Sequence, residues 1–194
     1  MELLGIGAGR CGSMSWCYWL DGLWEPFNEA WSYNEKNNRR LLARLKGQTI
    51  VVCHRLTVFL PLVLEMYPDC RFLWMRRGRD AVRDSWLHMT PWYGDVCAMA
   101  ASGGPPAIGM IADIDKYLSA LDTFVSGHLS RLPQDQWREV WLENADRDKR
   151  RVAEWLGRGD LLDKPFCHVA INPLHKTSDP VPEKYHKANK GEFA

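Results

Sequence analysis

The residues best able to do chemistry stand at positions 5–14, GIGAGRCGSM. Gly5, Gly7, Gly9 and Gly12 free the backbone to turn tightly and approach an anion, and the amides around Gly12, Ser13 and Met14 would point inward at a helix N-terminus. The apolar start Met1–Leu4 and the apolar, aromatic run after Ser13 predict a buried strand, a glycine-rich turn and a helix, the layout of a phosphate cradle. Gly7 and Gly12 have Walker A spacing, but Ser13 stands where that loop carries lysine, which counts against a kinase or NTPase. The loop cation sits earlier, at Arg10. A second basic group, Arg76-Arg77-Gly78-Arg79-Asp80, closes one strand and opens a helix that carries Asp84 and Ser85. There a guanidinium fork can grip phosphate oxygens and a helical hydroxyl can add a hydrogen bond.

Arg10-Cys11-Gly12-Ser13 resembles the [RK]-[SC]-G-[ST] loop with which the sulfotransferase family binds the 5′-phosphosulfate end of 3′-phosphoadenosine 5′-phosphosulfate, PAPS. The segment from Arg76 is similar to that family's R-x-[PG]-[RK]-D-x-x-x-S grip on the cofactor's 3′-phosphate. With Arg76 as the family arginine, the serine position falls on Asp84 and Ser85 comes one residue late. Residues 49–80, including Leu60-Pro61, and 138–157 follow family segments in the right order. The resemblance implies transfer of a sulfuryl group from PAPS to a hydroxyl or amine of a small molecule, glycan or peptide. It gives Gly9 to Met14, Arg76, Asp84 and Ser85 to cofactor binding and Arg10 to charge on the leaving phosphate. Glu25 matches the glutamate after the first helix of bacterial and tyrosylprotein-type members, and is preferred here as base. His54 matches the catalytic histidine of the cytosolic type, although Val52 replaces the lysine two residues before it. The mechanism calls for no metal. A sulfotransferase-like binding protein without turnover is the reading from a different class.

The elements needed to position these residues alternate. Helices are predicted from Ser13 to a stop at Gly22, over 34–46, from Pro61 to Tyr67, over 79–89 and over 111–132. Strands are predicted at TIVVCH, 49–54, at RFLWM, 71–75, and at WREVWL, 137–142, with a capped helix ending at Gly157 after the last. Residues 23–31 read as extended or turning, and 90–110 as a long loop or lid. A phosphate-sized anion is expected at the start of the 79–89 helix. This alternation predicts an α/β fold in three layers, with a mostly parallel central sheet, a P-loop-like phosphate-binding loop and flanking helices. One domain over 1–194 is expected, with an irregular tail from about 160 in which Asn172, His175, Lys176 and Lys190 are candidates to close over the nucleotide.

Composition bounds the partners. Charge is nearly balanced, 25 basic against 24 acidic residues, so no global field recruits nucleic acid or an anionic membrane. Six cysteines without ligand spacing predict reduced, buried thiols and no zinc site. No apolar run reaches the ~20 residues that span a bilayer, and the start carries no secretory pattern, so a soluble cytoplasmic protein is expected. Most of the ten tryptophans are assigned to core packing.

Overall fold

The computed structural model describes residues 1–24, 26, 34–87 and 114–167. At its centre is an all-parallel sheet of five strands, β1 (Leu3–Ile6), β2 (Leu23–Trp24), β3 (Ile50–Val52), β4 (Arg71–Arg76) and β5 (Trp137–Trp141), in the order β2-β3-β1-β4-β5. Strand β1 pairs Leu3 with Ile50 on one side and with Arg71 on the other, so its residues LLGI are covered by neighbours in the sheet and by helices above and below. Leu3, Leu4 and Ile6 are each at most 1% exposed. Such a strand has no polar face to alternate with, which is why it reads as a continuous apolar run.

The helices are α1 (Ser13–Leu20), α2 (Glu35–Arg44), α3 (Leu60–Met66), α4 (Arg79–Leu87), α5 (Ile114–Leu129) and α6 (Ala145–Leu156). Helix α1 packs on β1 and β3 and buries Met14, Trp16, Cys17, Trp19 and Leu20, so it is apolar nearly all round, the signature of a helix sunk in the core. Its last turn is closed by Asp21 in a left-handed conformation (φ 55°). Helix α5 lies against α3 and α4 and buries Tyr117, Leu118, Leu121, Val125 and Leu129, the recurrence expected of its stripe. Alternation along β4 feeds the two helical layers: Arg71 donates to the Trp155 carbonyl of α6, whereas Arg76 meets Asp122 of α5.

The structure has the expected α/β architecture, with local differences. Residues 23–24 are a sheet strand, because Leu23 and Trp24 pair with Val51 and Val52 at the edge. The strand after Thr49 stops at Val52, since His54–Phe59 winds into a 3₁₀ helix that runs directly into α3. Of the expected tail, Gly159–Leu161 forms a 3₁₀ turn and Phe166 packs edge-on against Trp16 at 4.7 Å, while Lys164 pairs with Asp21. The 90–110 loop and the tail candidates Asn172, His175, Lys176 and Lys190 lie outside the described residues. Cys11, Cys17, Cys53, Cys70 and Cys167 are free thiols. No described helix is long and apolar enough to cross a membrane.

Candidate functional site

The glycine-rich loop leaves the C-terminal end of β1 between β3 and β4 and enters α1. Its start is locked by a residue that sequence reasoning did not single out: the buried Thr57 hydroxyl accepts from the Gly7 amide (2.9 Å) and donates to the Gly7 carbonyl (3.0 Å). A side chain at Gly7 would place its Cβ 2.3 Å from the Met75 carbonyl oxygen, so the two chains approach more closely than any other residue allows. Gly12, left-handed at φ 78°, precedes α1, whose first turn carries neither an acidic residue nor a side-chain cap. The amides of that turn therefore face the loop without a protein anion in their own turn to satisfy them.

Two arginines converge on this loop. Arg10 is held left-handed (φ 74°), a conformation that costs a non-glycine residue about 1–2 kcal/mol, and its Nε donates to the Ser85 hydroxyl at 2.8 Å. Arg77 donates from Nη1 to the Arg10 carbonyl at 3.3 Å. Among the described residues neither guanidinium has a carboxylate within ion-pair distance. Burial first, and the Arg77 charge second, hold the Arg10 guanidinium below its ordinary pKa. Paired cations without a carboxylate partner among the described residues have the charge to suit a multiply charged anion. Between them, burial pushes the Cys11 thiol up to about 12, which leaves it neutral.

Arg76 is placed differently. Its guanidinium donates to Glu139 Oε1 (2.9 Å) and Asp122 Oδ2 (2.7 Å) and stacks on the rings of Trp74 (4.6 Å) and Trp141 (4.7 Å). Arg79 bonds Ser119 at 2.8 Å and Asp122 at 3.4 Å, and Arg83 bridges Asp80 and Asp115. At the start of α4, where an anion is expected, the Gly78 amide donates to Glu143 Oε1 at 2.9 Å. Asp84 is exposed, whereas Ser85 is 6% exposed and reaches the loop through Arg10. Arg77 and Ser85 stand eight residues apart, the arginine-to-serine interval of the motif to which this segment was compared from Arg76. That interval was the available signal for Arg77.

His54 opens the 3₁₀ helix at the end of β3, and Thr57 lies one such turn, about 6 Å, further on along the same face. The Thr57–Gly7 bonds thus tie the segment that carries His54 to the loop that carries Arg10. Glu25 lies outside the described residues; it follows Trp24, whose indole Nε1 donates to Ser13 Oγ at 3.4 Å. The loop therefore has Arg10, Cys11, Gly12, Ser13, Ser85 and Arg77 close together, while Arg76 is turned to Asp122 and Glu139 and Asp84 is exposed. No cluster of metal-ligating side chains occurs among the described residues.

The order of the parallel strands and the position of the loop invite comparison with known structures. The crystal structure of a sulfotransferase from Alicyclobacillus acidocaldarius superimposes on 89% of this chain and 86% of its own, with a TM-score of 0.52 and 15% sequence identity. The two share a fold, an α/β architecture on a parallel sheet. In sequence, no family model and no curated protein matches the chain. The sulfotransferase-like fold puts the glycine-rich loop at the C-terminal edge of the parallel sheet, where open α/β sheets receive their ligands.

Proposed function

We propose that the protein is a sulfotransferase that moves the sulfuryl group of PAPS to a hydroxyl or amine of an acceptor. The observation that carries this reading is the convergence of Arg10 and Arg77 on a glycine-rich loop, with no carboxylate partner among the described residues. The loop from Gly9 to Met14 and the first turn of α1 would hold the 5′-phosphosulfate. Arg77 and Ser85 would hold the 3′-phosphate, in place of the Arg76 and Asp84 to which the motif points, because Arg76 is committed to Asp122 and Glu139.

In this reading the acceptor oxygen or nitrogen attacks sulfur as the bond between sulfur and the bridging phosphate oxygen breaks. The electron pair of that bond stays on the departing adenosine 3′,5′-bisphosphate. Arg10 and the loop amides stabilise the charge that develops there, an interaction strongest in the transition state. The acceptor proton goes to His54 or Glu25, which follow the adjacent, parallel strands β3 and β2. A small molecule, glycan or peptide supplies the acceptor, and this mechanism requires no metal.

Calorimetric titration with adenosine 3′,5′-bisphosphate, run beside magnesium-ATP, tests the reading. Preference for the bisphosphate, followed by sulfuryl transfer from labelled PAPS in an acceptor screen, is the expected result. Preference for magnesium-ATP would replace this reading with a kinase or NTPase. Bisphosphate binding without transfer to any acceptor, or to water, would make it a binding protein.

A further inference from the structure

Both grips of the proposed nucleotide site are touched by one short turn, the 3₁₀ segment Leu142–Asn144 that follows β5. Leu142 lies over the loop: a Cβ built on Gly12 would stand 2.6 Å from Leu142 Cδ1. The next residue, Glu143, accepts the Gly78 amide at 2.9 Å, and Gly78 is the residue between Arg77 and Arg79. The turn is itself anchored from behind, since the Trp141 amide donates to Asp148 Oδ2 at 2.9 Å, and Asp148 is fully buried on α6. A fixed turn therefore sits against the entrance to α1 with one residue and holds the β4–α4 corner with the next.

We infer that Glu143 is a positioning residue that, through Gly78, sets the reach of Arg77 toward the loop and so the span between the 5′ and 3′ anion grips. The inference rests on the sulfotransferase reading above. Its consequence is selectivity: the clasp favours a nucleotide with phosphates at both ends of the ribose and contributes nothing to one with a 5′-phosphate alone. Two effects of Glu143 oppose each other, because its carboxylate holds the corner and its charge repels a bound phosphate. The geometry assigns dominance to the first, as the Oε1 that faces Gly78 is spent on that amide.

The test compares adenosine 3′,5′-bisphosphate with adenosine 5′-phosphate by calorimetry on the intact chain. Glu143→Ala should weaken the bisphosphate about tenfold, the scale of one charge-assisted hydrogen bond, and leave the monophosphate unchanged. Glu143→Gln, which keeps an oxygen acceptor and removes the charge, should bind the bisphosphate as tightly as the unaltered protein or up to about threefold tighter. In an Arg77→Ala background, Glu143→Ala should add no further loss. Hydrogen exchange on the ligand-free protein should show the Gly78 amide losing protection in Glu143→Ala and keeping it in Glu143→Gln.

Tighter bisphosphate binding by Glu143→Ala would overturn the inference by making the carboxylate a competing anion. Equal losses for both nucleotides, a full loss in the Arg77→Ala background, a Gln variant that behaves like Ala, or unchanged Gly78 protection would overturn it as well. Each of these leaves the sulfotransferase reading standing. An unaltered protein that does not prefer the bisphosphate over the monophosphate would remove that reading, and this inference with it.

Discussion

Two neighbouring arginines of one chain, Arg76 and Arg77, end in opposite electrostatic circumstances. Arg76 is half-buried and paired: two carboxylates and two indole rings flank it and neutralise its charge. Arg77, one residue on, turns to the glycine-rich loop and meets a backbone carbonyl and the vicinity of a second cation, Arg10. Alternation at the end of a strand suffices to separate them, since adjacent side chains leave on opposite faces. The difference teaches how to sort arginines in a basic motif. A guanidinium with its carboxylates in place is a structural element, whereas one that meets no carboxylate among the described residues is a candidate to meet a ligand.

The largest expected effect breaks the comparison at the loop. Arg10→Ala should lower turnover about 10²–10³-fold while changing bisphosphate affinity far less, read from kcat beside calorimetry. Equal losses in the two would make Arg10 a binding group only. Next comes the exchange of the two arginines. Arg77→Ala should weaken adenosine 3′,5′-bisphosphate about 10–100-fold with little change in Tm. Arg76→Ala should leave affinity within a few-fold and destabilise the fold by about 1–3 kcal/mol in urea unfolding, because it strips a stacked cation from two carboxylates. The reverse outcome would return the 3′-phosphate to Arg76.

A smaller effect concerns backbone strain. Arg10→Gly should unfold about 1 kcal/mol harder than Arg10→Ala, since only glycine occupies the left-handed conformation at φ 74° freely, and both should be equally inactive. A residue retained at that cost is expected where function needs its side chain.

The smallest effect is a pH dependence. Cys11 is buried, and burial pushes its thiol from the ordinary range up to about 12 in the folded protein, so the unfolded chain releases this proton first. The stabilisation is fully present below about pH 9 and is lost as pH rises toward about 12. Urea midpoints measured between pH 7 and pH 11 should fall more steeply for the unaltered protein than for Cys11→Ala. Parallel slopes would show that Cys11 does not titrate with unfolding.

Much of the architecture was legible because it depends on short-range pattern. The runs LLGI and RFLWM read as buried strands, and the recurrence through Leu118, Leu121 and Val125 reads as a helix with one covered face. The strand at Leu23–Trp24 was not legible, since two residues carry no period and its existence depends on the edge of β3. At the site, the loop from Gly9 to Met14 was readable from glycine spacing. The partner of that loop was not: the choice between Arg76 and Arg77 turns on where Asp122 and Glu139 stand, and these lie 46 and 63 residues further along.

What the sequence determined by itself is therefore the sheet-and-helix alternation, the glycine-rich turn between β1 and α1 and the absence of a Walker lysine, because each is written in adjacent residues whose backbone preferences act locally. The tertiary structure alone decided which cations meet a carboxylate among the described residues. It brought Thr57 to Gly7, Ser85 to Arg10, and Glu143 to Gly78, across 50, 75 and 65 residues. Charge neutralisation depends on distance in space, and only the packing of α5 and β5 onto β4 sets those distances.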